Sequence, residues 1–89
     1  MSVYLLRISE QAKEDIRHHK RSGNKAVVHK ITLLLEELSS HPFVGTGKPE
    51  PLKHSLAGCW SRRINREHRL VYEVADTVVT VLSAKGHYG

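Results

Sequence analysis

Hydrophobic residues change their spacing near the middle of the chain, and this change separates a helical half from a half made of strands. The clearest helical face consists of Val27, Ile31, Leu34, Leu35 and Leu38. These residues recur at intervals of three and four, which is the period of an α-helix. The pattern stops before the serines at 39–40. It therefore predicts an amphipathic helix that ends near residue 39.

Two shorter elements precede this helix. Residues 3–8 form an apolar run of β-formers and predict a first strand. Ser9 is a suitable N-cap for a helix that extends to about residue 20, and Glu10 in its first turn suits the helix dipole. The apolar face of this helix is thin, with only Ala12 and Ile16. The break at 22–24 then makes the two helices neighbours in an αα-hairpin.

The pattern changes after residue 40. Residues 41–56 hold all three prolines and are expected to form a loop. The period then becomes two, and it predicts strands over 59–65, 68–75 and 77–84. The last two strands are separated by a short turn and are expected to pair antiparallel.

The order of these elements, β-α-α-β-β-β, predicts an α+β fold. Both helices are expected to pack on one face of a mainly antiparallel sheet and to leave the other face for a ligand. The length of 89 residues is that of one domain with a modest core, and no repeat or change in composition divides the chain. We therefore expect a single domain over residues 1–89.

Charge and cysteine content narrow the partner and the compartment. The chain has 14 Lys and Arg against 9 Asp and Glu, a formal net charge of +5. This excess favours a polyanion such as RNA or DNA, the alternative being a basic protein without a particular ligand. The single cysteine, Cys59, cannot form an intrachain disulfide and fits a reducing compartment. No signal peptide or membrane-spanning segment is indicated, which favours a soluble, cytoplasmic protein.

Glu50 is the first candidate for chemistry. It lies between two prolines, which fix backbone angles and limit its motion. A carboxylate held in this way suits a general base. Lys48 and Lys53 flank it, so the segment is cationic and suits contact with phosphate. The alternative is a solubilising charge in a proline-rich turn.

The strand alternation supplies candidate cations. Apolar residues alternate with Arg69 in the strand predicted over 68–75. If the apolar set meets the helices, Arg69 lies on the open face. If Trp60 and Ile64 also face inward, Arg63 joins it there. The alternative is that both arginines are ordinary solvated strand residues that prevent edge pairing.

The C-terminus supplies a candidate acid. His87 can donate a proton near neutral pH, and Tyr88 can stack on a base or pack against the sheet edge. The alternative is a frayed tail. The other histidines and the single cysteine do not have the spacing of metal ligands, and no glycine-rich phosphate-binding motif occurs. We therefore expect neither a metal site nor a cofactor.

The second half of the chain resembles a known family. The matching segments are 42–43 (PF), 45–54 (GTGKPEPLKH), 56–58 (LAG), 60–64 (WSRRI), 67–72 (EHRLVY) and 87–88 (HY). They resemble the YoeB/Txe group of bacterial toxins in the RelE superfamily, which implies a RelE-like, microbial-ribonuclease-like domain. Gly86 stands where some relatives carry a larger residue, and it is expected to make the tail more flexible.

The resemblance implies a ribosome-dependent mRNA endoribonuclease, an mRNA interferase that inhibits translation by cutting the codon in the ribosomal A site. It implies Glu50 as the general base on the 2′-hydroxyl, His87 as the general acid for the 5′-oxygen and Arg69 as the group that stabilises the phosphorane. Lys53 and Arg63 would hold the phosphate, and Tyr88 would contact the substrate near the cut. The products would be a 2′,3′-cyclic phosphate or 3′-phosphate and a 5′-hydroxyl, formed without a metal.

The partners implied by the resemblance are mRNA in the A site, the 70S ribosome and a YefM/Axe-like antitoxin. A homodimer is left open, and no membrane is involved. Two other functions remain: a module that binds ribosome or RNA without cutting it, and a co-repressor that acts through its antitoxin. Cleavage is favoured over binding alone because a carboxylate among phosphate-binding cations would repel the phosphate.

Overall fold

The computed structural model describes residues 3–53 and 58–86, and its elements follow the predicted order with one addition. The elements are β1 (Leu5–Ile8), α1 (Glu10–Arg21), α2 (Lys25–Leu38), β2 (Glu50–Pro51), β3 (Cys59–Arg63), β4 (Arg69–Ala75) and β5 (Val78–Ser83). The addition is β2, which lies inside the segment predicted to be a loop. The α+β fold is confirmed.

The strands form one sheet in the order β1-β5-β4-β3-β2. β1 is parallel to β5, whereas the other neighbours are antiparallel, as the prediction of a mainly antiparallel sheet requires. Ala75 pairs with Val78 across a tight turn in which Asp76 has a φ of 54°. β2 lies at the sheet edge, where a strand can include a proline because one side needs no hydrogen bonds.

Both helices begin at capped ends. The Ser9 hydroxyl accepts a hydrogen bond from the Ala12 N–H at 3.1 Å, as expected of an N-cap. Asn24 does the same for α2 by accepting from the Val27 N–H at 3.2 Å. No helix within the described residues has both the length and the apolar character needed to cross a membrane.

The core lies between the helices and one face of the sheet. α2 contributes the predicted residues, of which Leu35 alone is only partly buried. The fully enclosed hydrophobic residues on the inner face of the sheet are Leu70, Tyr72, Val79 and Val81. Asp15 and His19 of α1 are also buried, although α1 was expected to turn inward only Ala12 and Ile16. The inner face of α1 is therefore partly polar.

The opposite face of the sheet is less open than predicted. Arg63 is exposed there and Arg69 is partly exposed. Cys59, Ser61 and Val71 are buried on the same face. The predicted cations lie at one end of this face, where β3 ends and β4 begins, and other parts of the face are exposed as well.

Candidate functional site

Glu50 and Arg69 form an ion pair on this face. β2 places Glu50 opposite Ser61, which belongs to the strand beside Arg69. Arg69 Nη1 donates to Glu50 Oε1 at 3.1 Å and to Ser61 Oγ at 3.3 Å. The Glu50 side chain is 56% exposed, against 23% for Arg69. The cation is thus held by two side-chain contacts, and the carboxylate is accessible to a ligand.

Arg63 lies directly opposite Arg69 in the antiparallel pairing of β3 and β4. Like charges in opposite positions destabilise a sheet. Glu50 pairs with Arg69, while Arg63 makes no ion pair within residues 3–53 and 58–86. An anion bound between the two guanidinium groups would relieve their repulsion. The prediction that the two arginines share the open face is confirmed, and the pair is suited to a phosphate.

The lysines of the β2 segment are both exposed. Lys48 has a φ of 51° and precedes Glu50 by two positions, and Lys53 follows β2. The segment runs along the edge of β3, because the Arg63 N–H donates to the Gly47 carbonyl at 2.7 Å and the Leu52 N–H donates to the Cys59 carbonyl at 2.8 Å. Backbone hydrogen bonds therefore hold the segment that carries Glu50 at both ends.

The loop before β2 is fixed by a residue that the sequence pattern did not single out. The Arg62 side chain is fully buried. It donates through Nη1 to Glu37 Oε1 at 2.8 Å, and through Nη2 to the carbonyls of His41 and of Val44, the latter at 2.9 Å. Its Nε donates to the Tyr72 hydroxyl at 3.2 Å. One buried cation thus joins α2, the loop and the sheet.

Glu37 completes this anchor. Its carboxylate accepts from the Thr46 hydroxyl at 2.6 Å and from the Thr46 N–H at 2.8 Å. Burial alone would raise the pKa of Glu37, but the hydrogen bonds from Thr46 and Arg62 outweigh it and bring the pKa below its ordinary value. The carboxylate is therefore stabilised in its charged form. The available signal was the position of Arg62 between Trp60 and Ile64 on the inward face, where a guanidinium requires buried acceptors.

The C-terminal segment is anchored on the other side of the site. The Arg69 N–H donates to the Gly86 carbonyl at 2.8 Å, and the Gly86 N–H donates to His68 Nδ1 at 3.0 Å. Gly86 was expected to make the tail flexible, but its peptide groups are hydrogen-bonded on both sides. His87 and Tyr88 lie outside the described residues.

The described residues were also compared with the requirements of a metal site and of a ligand-binding hollow. Within residues 3–53 and 58–86, no three His, Cys, Asp or Glu side chains come together as metal ligands. A hollow of about 440 Å³ lies where α1 ends and α2 begins. Its lining is His19, Lys20, Gly23, Asn24, Lys25, Val28, His29 and Thr32. It includes none of the predicted site residues.

Comparison with known proteins identifies the family. The profile of the family described as a YoeB-like toxin of bacterial type II toxin-antitoxin systems matches residues 8–88. Toxin YoeB of Escherichia coli K12 is 45% identical over 80 residues, which span 90% of this chain and 94% of that toxin.

Solved structures agree with this match. The YoeB dimer from Staphylococcus aureus superposes with a TM-score of 0.84 at 42% identity, over 98% of this chain and 100% of that one. The YoeB-YefM complex from the same organism contains a chain with a TM-score of 0.81 at 44% identity, over 96% and 98%. The chain therefore belongs to the YoeB-like toxins of bacterial type II toxin-antitoxin systems.

Proposed function

We propose that this toxin is a ribosome-dependent mRNA endoribonuclease that inhibits translation by cutting mRNA in the A site. The observation that carries the proposal is the exposed Glu50 carboxylate paired with Arg69, while Arg63 lies opposite without an ion pair in the described part of the chain. This arrangement combines a base with two cations at one point of a basic protein. The chain belongs to a family of toxins, and a toxin is expected to damage a target on which growth depends.

Glu50 would act first. Its carboxylate would accept the proton of a ribose 2′-hydroxyl, and the 2′-oxygen would form a bond to the adjacent phosphorus. Arg69 and Arg63 would stabilise the additional negative charge of the phosphorane, with Lys48 and Lys53 as further contacts to the RNA backbone. A phosphate between the arginines would also replace Glu50 as the partner of Arg69, which frees the carboxylate to act as a base.

The bond to the 5′-oxygen would then break as this oxygen takes up a proton. His87 is the proposed donor, and Tyr88 the proposed contact to the substrate. The products are a 2′,3′-cyclic phosphate and a 5′-hydroxyl, and hydrolysis of the ring gives the 3′-phosphate. The steps use only side chains and, for hydrolysis of the ring, one water molecule, so none requires a metal or a cofactor.

The partners follow from this activity. The proposed substrate is mRNA in the A site of the 70S ribosome, and the proposed compartment is the bacterial cytoplasm, where ribosomes translate. A YefM/Axe-like antitoxin is the proposed inhibitor, supported by the Staphylococcus aureus YoeB-YefM complex. A homodimer is supported by the YoeB dimer from that organism.

Cell-free translation tests the proposal. The toxin is added to a system that translates a reporter mRNA, and cuts are mapped beside Glu50→Ala and a control, Glu73→Ala. Glu73 is an exposed carboxylate on β4, on the same face as Arg69. We expect cuts inside translated codons with the wild type and Glu73→Ala, and none with Glu50→Ala.

Two other results point to other functions. Blocked translation without cuts would contradict the nuclease and favour a protein that binds the ribosome. Normal translation would contradict both, and would leave the antitoxin-binding co-repressor as the remaining function.

A further inference from the structure

Three side chains and one backbone N–H hold the last described residues of the chain. Asp15 Oδ2 accepts from the Ala84 N–H at 2.9 Å, and His19 Nε2 donates to the Ala84 carbonyl at 2.8 Å. Two residues later, Gly86 is bonded to His68 and to the Arg69 backbone. Asp15 and His19 are 5% and 2% exposed, so α1 directs two polar side chains into the fold to hold this strand end. The inner face of α1 therefore serves a purpose other than apolar packing.

The hydrogen bonds define the protonation of the two histidines. A backbone N–H can only donate, so His68 Nδ1 must carry a free lone pair and His68 must be neutral, with its proton on Nε2. A carbonyl can only accept, so His19 Nε2 must carry a proton. This bond forms with neutral and with charged His19. Of the two anchoring bonds made by histidine rings, only the bond to Gly86 is lost on protonation.

The surroundings of His68 favour its neutral form. Burial lowers the pKa of His68, and the nearby His19 ring of α1 lowers it further. The two ring centroids are 4.7 Å apart. The other charged or titratable groups that act on it are Lys85 of the C-terminal segment, His18 of α1 and the adjacent Glu67, which alone favours protonation.

We propose that His68 is a positioning residue whose neutral ring holds Gly86 beside Arg69, one residue before the proposed acid in the sequence. The proposal rests on the proposed function, in which His87 supplies the acid. Protonation of His68 would place an N–H against the Gly86 N–H, which breaks this bond. Cleavage would then slow at low pH because the C-terminal segment loses its anchor next to Arg69.

NMR on the full-length chain tests the anchor without any assay of cleavage. The variants are His68→Asn, whose amide oxygen can replace Nδ1 as an acceptor that does not titrate, His68→Ala, and the control His29→Asn at an exposed position of α2. Thermal unfolding shows that each variant is folded. The readout is protection of the Gly86 amide from exchange, together with the ring nitrogen signals of His68.

We expect the Gly86 amide of the wild type and His29→Asn to lose protection as His68 is protonated. His68→Asn should keep its protection across this range, and His68→Ala should lack it at every pH. A protected Gly86 amide in folded His68→Ala, or a proton on Nδ1 of His68 at neutral pH, would overturn the anchor.

Single-turnover cleavage on saturating ribosomes tests the role in the reaction. We expect His68→Ala to cut on the order of a hundredfold more slowly with unchanged ribosome binding, as a small displacement of a reacting group predicts. His68→Asn should cut at nearly the wild-type rate and lose the part of the decline that accompanies protonation of His68. A wild-type rate in His68→Ala would overturn the positioning role. No cleavage by the wild type would instead contradict the proposed function, while the NMR result would still decide the anchor.

Discussion

The two ends of the candidate site are held by opposite kinds of chemistry. The loop leading to Glu50 is anchored by Arg62, a buried cation paired with Glu37. The segment after β5 is anchored on His68, whose ring must be neutral to accept the Gly86 N–H. A guanidinium keeps its charge at any physiological pH, whereas an imidazole changes its charge near neutrality. The difference teaches that the side carrying Glu50, the proposed base, has an anchor whose charge does not change, whereas the anchor on the C-terminal side can be protonated.

Removing Arg62 should have the largest effect on stability. Arg62→Leu leaves the Glu37 carboxylate and several loop carbonyls without their cation. We expect a loss of about 3–5 kcal/mol in the free energy of unfolding, as for other broken buried pairs. Chemical denaturation measures it. The control is Arg17→Leu, which removes an exposed i,i+3 ion pair with Glu14 and should change little. Equal effects of the two variants would show that burial of Arg62 contributes nothing.

Gly45→Ala tests how closely the loop packs on this ion pair. Gly45 has a φ of 128°, and a Cβ there would collide with a Glu37 carboxylate oxygen. We expect a loss of about 1–3 kcal/mol from backbone strain, with the collision adding to it. Gly23→Ala is the matched control, because Gly23 has a φ of 75° and open space around the added carbon. Gly45→Ala should be the more destabilised of the two in denaturant titrations, and the reverse order would contradict the packing.

The two anchors should lose their contributions to the free energy of unfolding at different pH values. These effects are expected to be smaller than those of Arg62→Leu and Gly45→Ala. The pKa of His68 is below its ordinary value of 6.5 in the folded protein, so its contribution is complete above pH 6.5 and is lost as the pH falls through the folded pKa. The pKa of Glu37 is also lowered, from 4.5, so its contribution is lost only at more acidic pH. His68→Asn should therefore remove the first decline in unfolding free energy and keep the second. Loss of both declines in this variant would contradict the separation.

The elements and side-chain faces that depend on hydrophobic period and strand alternation could be predicted from the sequence. The helical face of Val27 to Leu38 and the strand pattern of 59–84 report directly which side chains are buried, so the fold followed from them. Strand alternation also predicted that Arg63 and Arg69 share a face. Glu50 was found through its place between prolines, but its contact with Arg69 depends on β2, and a strand of two residues leaves no period in the sequence.

The partners of the two anchoring residues, Arg62 and His68, could not be predicted for a different reason. Arg62 is bound by loop carbonyls of His41 and Val44, and backbone acceptors leave no mark in the choice of side chain. His19 and His68 lie on different elements, and only the folded sheet brings their rings together. Buried polar contacts join groups that are distant in sequence. The hydrophobic pattern of the chain does not encode such contacts.

Single-turnover cleavage on purified ribosomes carrying mRNA in the A site tests the catalytic role of Glu50 most directly. The proteins compared are the wild type, Glu50→Gln and Glu73→Gln, each at saturating ribosomes with binding measured in parallel. We expect Glu50→Gln to cut about 10²–10⁴-fold more slowly, as loss of a general base predicts, and to bind as the wild type does. Glu73→Gln should match the wild type. A wild-type rate in Glu50→Gln, or a slow rate explained by weaker binding, would contradict the assignment of Glu50 as the base.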